Sequence, residues 1–207
     1  MDVARKIELR VEPIFLDPSS IPLVRQNPVD RCYHCKMEVM KQIKRRAEEL
    51  SCSVVVDGSH AGDRTGHRPG RRALHELGVL SPLALAGLEK HEIRELSRLA
   101  GLPTWNKPSQ SCLATRFPYG TELTHERLSR VEQAEEILWD LGCEQVRVRY
   151  DGETARIEIN PDAFHLILDQ TTRESITLRF RQLGFIHVTL DLAGYRSGSW
   201  DERQGAV

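Results

Sequence analysis

Apolar residues recur along the chain with helical spacing in some stretches and strand spacing in others. Residues 36–50 are rich in Lys, Arg, Glu and Met, a composition that predicts a helix. Residues 53–57, SVVVD, are a short β-branched run of the kind found in a buried parallel strand. A loop punctuated by Gly and Pro follows, and residues 71–77 read as a second helix that Gly78 stops. A third helix is predicted over 89–100, with Ile93, Leu96 and Leu99 on one face and Gly101 beyond its end. This alternation suits a layered α/β unit. Ahead of it, the first residues read as the tail of a helix running into a short apolar segment at 11–16.

After Gly120 the pattern changes. Thr124 can cap a long helix whose apolar stripe is Leu128, Val131, Ala134, Ile137, Leu138 and Leu141. Two runs, 145–150 and 154–160, alternate as strands do, and Asp151-Gly152 between them signals a hairpin. Residues 161–169 and 172–183 read as helical, and 186–191 as a last strand. Helix, strand, strand, helix, strand predicts a small α+β domain. Two domains are therefore expected, 1–120 and 121–207, divided in the loop that holds Pro118 and Gly120.

Composition narrows the classes. The 207 residues are 40% hydrophobic and 29% charged, enough apolar material for a real core. With 29 Lys and Arg against 30 Asp and Glu the net charge is −1, which speaks against a general nucleic-acid coat. The longest low-charge stretch, 81–88, is too short to span a bilayer. The opening MDVARKIELR carries charges where a signal peptide needs an apolar run. A soluble, cytoplasmic protein without nucleic-acid or membrane partners is expected. Neither GxGxxG nor GxxxxGK[ST] occurs anywhere.

Three features carry candidate chemistry. In the hairpin, Val146, Val148 and Tyr150 share a face, so Arg147, Arg149, Arg156 and Glu158 share the other. A two-residue turn at Asp151-Gly152 sets Arg147 opposite Arg156; a four-residue loop sets Arg149 there. Either way two like charges face each other, which destabilises a cross-strand pair. The face is then either solvated, with Glu158 diluting the repulsion, or an anion site for phosphate or carboxylate. The second feature is cysteine. Five are present, an odd number that does not suggest a disulfide framework. Cys32 and Cys35 form a CxxC, and two cysteines do not complete a zinc site, for which His34 is awkwardly adjacent. Cys112 lies in a loop between Pro108 and Pro118 with Lys107 and Arg116 nearby, and cations favour a reactive thiolate. Cys52 and Cys143 read as structural. Third, the 57–70 loop follows a strand's C-terminal end, where open α/β sheets place ligands, and offers Asp57, Asp63 and Arg68.

Taken in order, NPVDRCYHCK (27–36), VVVDGSHAGDRTGHRPGRRAL (54–74), GVLSPL (78–83), GLPTWNKPSQSCLATRFPYG (101–120), RVRYDGETARIEI (147–159) and LDLAGYRSGS (190–199) resemble the LarE family. These are ATP-dependent sulfur transferases of nickel-pincer nucleotide cofactor assembly. The resemblance implies an incomplete Rossmann-like, adenine nucleotide α-hydrolase-like domain followed by a small α+β domain for substrate binding and oligomerisation. It implies adenylylation of a carboxylate on a pyridinium dicarboxylate mononucleotide, then sulfur delivery to give a thiocarboxylate. Cys112 falls on the family's sulfur-handling cysteine, and Glu135 on a family site position whose plainer alternative is an exposed helix carboxylate. Arg116, Arg147, Arg149 and Arg156 are the candidates for substrate anions. Cys32, Cys35 and Cys112 match members in which three cysteines hold a [4Fe–4S] cluster, leaving one iron open to an extra sulfide.

The resemblance has one gap. The family's SGGxDS phosphate loop, with its strand and helix, has no counterpart in this sequence. The chain is expected to be a truncated, mis-started or split form, to use ATP and Mg only with that segment supplied by a separate ATP-loop half, and to form a homo-oligomer. The rival readings are a tRNA-thiolating transferase and a non-catalytic zinc module using Cys32, Cys35, Cys112 and a histidine.

Overall fold

The computed structural model describes residues 2–64, 68–107 and 111–196. They group into two compact units, Met1–Val24 with Val29–Lys107, and Arg25–Pro28 with Pro108–Val207. The sequence reading set the division near residue 120. In the structure residues 111–120 pack with the second unit, because Ala114 and Phe117 are buried in its core. Residues 25–28 join the same unit through the buried Asn27, whose Nδ2 donates to the Pro118 carbonyl at 2.8 Å and whose carbonyl accepts from the Gly120 amide at 2.8 Å.

The first unit is helical. It comprises α1 (Asp2–Lys6), the start of α2 (Pro22–Arg25), α3 (Arg31–Glu49), α4 (Gly70–Glu76), α5 (Pro82–Leu85) and α6 (Lys90–Leu99). Met40 and Ile43, one turn apart on α3, meet Leu74, Leu77 and Val79 of α4 and its exit, with Val55 beside them. Lys44 Nζ donates to the Leu77 carbonyl at 2.7 Å, satisfying an acceptor at the end of α4. Two expectations change here. The 53–57 run forms a single parallel bridge, Val56 to Leu80, and Val54 and Val56 are exposed, not buried. A single ladder rung among the described residues leaves both side chains without a covering layer. Helix α6 forms where periodicity placed it, with the Glu92 carboxylate accepting from the Glu89 amide at 2.8 Å. Its Leu96 and Leu99 nonetheless face solvent.

The second unit is a helix-backed sheet. Its elements are α7 (His125–Asp140), β1 (Val146–Asp151), β2 (Thr154–Ile159), α8 (Gln170–Gln182) and β3 (His187–Leu190). Thr124 caps α7 by accepting from the Arg127 amide, and Asp169 caps α8 by accepting from Thr172. Residues 161–166 form a 3-10 turn where a longer helix was expected. The sheet order is β1-β2-β3, with β1–β2 antiparallel and β2–β3 parallel. Val131, Leu138, Val146, Ile159 and Phe180 pack between helices and sheet, all essentially inaccessible. The molecule is thus mixed helix and sheet, and no described helix is long and apolar enough to cross a membrane.

Leu138 is fully buried at the centre of this core. Leu138→Ala is expected to lower unfolding stability by about 2–5 kcal/mol, through lost transfer energy and the cavity left behind. Urea titration followed by circular dichroism measures it.

Candidate functional site

The hairpin turn is Gly152-Glu153, closed by the Asp151–Thr154 pair. Gly152 has φ +61°, a conformation a side chain disfavours. The turn sits one residue later than Asp151-Gly152, and of the two registers expected the structure has the one that sets Arg149 opposite Arg156, with Arg147 opposite Glu158.

The face bearing these charges is not solvated. Arg147, Arg149 and Glu158 are 3%, 5% and 1% exposed, which removes the solvated reading of this face. Glu158 resolves the like-charge pair. Its Oε2 accepts from Arg149 Nε at 2.9 Å and its Oε1 from Arg156 Nη2 at 3.0 Å. Arg156 Nη1 also lies 3.4 Å from Asp191 Oδ2. One carboxylate between two opposed guanidiniums turns a repulsive pair into a bridged triad.

A second ion pair lies beside it. Glu135 is fully buried in the stripe of α7, so it is not the exposed helix carboxylate that its sequence position allowed. Arg116 Nε and Nη2 meet Glu135 Oε1 and Oε2 at 2.8 and 2.9 Å, and Glu135 Oε1 also accepts from the Val148 amide of β1 at 2.9 Å. Arg116 closes the 3-10 turn Leu113–Arg116, which Cys112 opens with an exposed thiol. Arg116 Nη1 donates to Ser111 Oγ at 2.8 Å, Thr115 Oγ1 at 2.9 Å and the Cys112 carbonyl at 3.1 Å. From the other side, Arg149 Nη1 donates to the Thr115 carbonyl at 2.8 Å. Arg116, Glu135, Arg147, Arg149 and Arg156 therefore converge in the second unit beside the Cys112 turn.

Arg147 stands at the rim of this cluster. Burial, followed by the nearby Arg116 charge, pushes its pKa down from the ordinary arginine value. Its guanidinium lies 5.2 Å from the Tyr195 ring and, with the Gln145 amide suitably turned, donates to Gln145 at 3.1 and 3.2 Å. Tyr195 reaches this place because its amide donates to the Ile159 carbonyl at 3.0 Å and Gly194 precedes it. A Cβ on Gly194 would come within 2.9 Å of that carbonyl and 2.8 Å of the Pro161 ring. Gln145, Thr115, Asp191 and Tyr195 were not anticipated as site residues. Thr115, Asp191 and Tyr195 nevertheless lie within the stretches that carry the family resemblance.

In the first unit, Cys32 and Cys35 lie in the first two turns of α3, Cys32 exposed and Cys35 half-buried. The buried Arg31 directs Nη2 to 3.8 Å from Cys32 Sγ. Tyr33 donates its hydroxyl to Glu76 at 2.7 Å under the Arg72 guanidinium, fastening α4 to this turn. Cys32, Cys35 and Cys112 are all free thiols with accessible surface, and thiolate is the ligand type that iron–sulfur clusters use. Within either unit, the described residues include no group of three His, Cys, Asp or Glu side chains placed to hold a metal ion.

The 57–70 loop carries its own ordered carboxylates. Burial would push Asp57 up, but the Ser59 hydroxyl, the Ser81 hydroxyl and the Ser59 amide all donate to it and hold it below 3.8. Asp63 lies 3.4 Å from Arg68 and 3.5 Å from His60.

No protein-family model matches the chain. Among curated proteins, it is 44% identical over 177 residues to an uncharacterised Synechocystis protein, covering 86% of this chain and 66% of that one. It is 35% identical over 206 residues to the pyridinium-3,5-bisthiocarboxylic acid mononucleotide synthase of Lactiplantibacillus plantarum, covering 98% and 72%. It is 32% identical over 194 residues to an uncharacterised Methanocaldococcus jannaschii protein, covering 94% and 73%. The chain spans about two thirds to three quarters of the length of these relatives. A buried arginine–carboxylate face beside an accessible cysteine, on a mixed helix-and-sheet frame, defines a candidate anion-binding thiol site. The protein carrying it belongs to the LarE family, that of the L. plantarum synthase.

Two outcomes test this geometry. On a solvated face, Arg156→Gln would relieve repulsion and stabilise the protein slightly. With Glu158 shared between two arginines, the change is instead expected to destabilise by about 1.5–3 kcal/mol, the range for losing a charged hydrogen bond, and thermal unfolding gives the sign. For Asp57, depressed below 3.8, the stabilisation is fully present above that value and lost as pH falls through the folded pKa. Ser81→Ala removes one donor and should raise the Asp57 pKa toward 3.8, as read by carboxyl-detected NMR titration.

Proposed function

We propose that this chain is a sulfur transferase that converts a carboxylate of a pyridinium dicarboxylate mononucleotide to a thiocarboxylate, with Cys112 at the point of sulfur delivery. Kinship to a synthase supports the reaction class and makes the chain an enzyme by resemblance. The observation that carries the reading is the accessible Cys112 thiol on a turn held by buried Arg116 and Arg149. The substrate's carboxylates and phosphate match guanidinium donors. Arg147 and Arg156, at the margin of the cluster, are assigned to those anions. Arg116 and Arg149 add positive field from behind while Glu135 and Glu158 hold them.

A carboxylate activated as an acyl adenylate presents its carbonyl carbon to the Cys112 thiolate, and the C–O bond to AMP breaks as the C–S bond of a thioester forms; loss of the Cys112 Cα proton with cleavage of its Cβ–Sγ bond then releases the thiocarboxylate and leaves dehydroalanine at residue 112. The activation step is assigned to the family's SGGxDS loop, a segment this sequence does not contain. The first unit is read as part of an adenine nucleotide α-hydrolase-like, Rossmann-like domain, for which the parallel Val56–Leu80 bridge is the supporting feature. In the alternative route Cys32, Cys35 and Cys112 would hold a [4Fe–4S] cluster, which when bound supplies an iron position open to exchangeable sulfide, and Cys112 keeps its own sulfur.

Supplied with the acyl-adenylated mononucleotide, wild type and Cys52→Ser are expected to yield thiocarboxylate product by mass spectrometry, and Cys112→Ser none. Equal product from both variants would overturn the reading. Anaerobically prepared protein should likewise retain iron and sulfide in Cys52→Ser and lose them in Cys112→Ser; stoichiometric zinc would favour a metal-binding module instead.

A further inference from the structure

We infer that Arg116 is the positioning residue for Cys112: its buried guanidinium ties the carbonyls of the Cys112 turn to strand β1 through Glu135. The inference rests on the reading of Cys112 as the sulfur-delivering residue. The Cys112 thiol is exposed, so its placement comes from its backbone. The Cys112 carbonyl accepts from the Thr115 amide at 2.9 Å, the Thr115 hydroxyl at 2.8 Å and Arg116 Nη1 at 3.1 Å.

Arg116 is 2% exposed and uses its two edges differently. The Nε–Nη2 edge meets Glu135 in a bidentate contact, and Glu135 is itself anchored by the Val148 amide within the sheet. The Nη1 corner faces the turn and reaches Ser111, Cys112 and Thr115. A planar guanidinium makes both sets of contacts at once; a lysine ammonium, a point charge on a flexible stem, cannot keep that fork. The arrangement transmits the position of a rigid strand to a surface turn over one side chain. This also redirects Arg116: its donors are spent on Glu135 and the turn, so its part in sulfur transfer runs through Cys112.

The test attaches a nitroxide to Cys112 in the 207-residue chain with Cys32, Cys35 and Cys52 changed to Ser and Cys143 left in place because it is buried. The label is expected to be motionally restricted in this background. In Arg116→Lys a fast component should dominate the spectrum. Thr115→Val leaves the Arg116–Glu135 pair intact and removes the hydroxyl between Nη1 and the Cys112 carbonyl; a smaller fast component is expected there, at unchanged melting temperature. If Arg116→Lys does not fold, Thr115→Val decides alone. With sulfur transfer measured in single turnover on the chain with its native cysteines, the rate at saturating nucleotide (kcat in this assay) should fall about a hundredfold in Arg116→Lys, the scale of an ångström-sized misplacement, while the nucleotide concentration giving half that rate (KM) stays within a few-fold. A purely structural role would lower the melting temperature but leave the label spectrum of the folded protein and its KM-against-kcat split unchanged. Identical restricted spectra in all folded variants overturn the inference even where Cys112 is essential. A Cys112→Ser protein that still transfers sulfur overturns the functional reading instead, whatever the spectra show.

Discussion

Two fully buried carboxylates, Glu135 and Glu158, make the site's arginines tolerable, and of these Glu135 is the one on which the rest depends. Its partner Arg116 is also buried, and an unpaired ion there would be several kcal/mol more costly than in water. The pair is stable because every strong direction is used. Both Glu135 oxygens meet Arg116, and one also accepts from a strand amide. Removing the carboxylate would strand a guanidinium in the core and release the Cys112 turn together.

The same logic extends across the hairpin. Arg149 and Arg156 are register partners, an arrangement that on an open strand face would favour slippage. Glu158 bridges them, and Asp191 adds a second carboxylate on the far side of Arg156. Among the described residues this leaves four guanidiniums, Arg116, Arg147, Arg149 and Arg156, beside three carboxylates, Glu135, Glu158 and Asp191. Three carboxylates do not balance four guanidiniums, and burial first, then the nearby Arg116 charge, pushes the Arg147 pKa down.

The first unit is organised differently. Its small core is made by α3 against α4, and the CxxC sits at the head of α3 where Tyr33, Arg72 and Glu76 pin the two helices together. Gly70 brings the start of α4 close to the Cys32 carbonyl, which would lie 3.4 Å from an added Cβ. The cysteine turn is therefore built on a fixed base, while Leu96, Leu99, Val54 and Val56 remain exposed.

The sequence alone determined the local elements wherever periodicity and caps agree. The Thr124-capped helix, the alternating hairpin and the order of the second unit follow from residue spacing, because 3.6- and 2-residue repeats decide which side chains share a face. It also placed Arg147, Arg149 and Arg156 on one side of the hairpin. Its family motifs gave Cys112 its importance. What it left open was every question of what covers a face. Leu96 and Leu99 are periodic but exposed, and Glu135 is a helix carboxylate that periodicity treats as ordinary yet the fold encloses. The choice between a solvated face and a buried cluster, and the pairing of Arg149 with Arg156 rather than Arg147, depended on a turn one residue later and on contacts to residues 19 and 34 positions away, Arg116 to Glu135 and Thr115 to Arg149. Spacing along a chain fixes directions, but desolvation and charge pairing are set by neighbours distant in sequence, and only the tertiary structure supplies them.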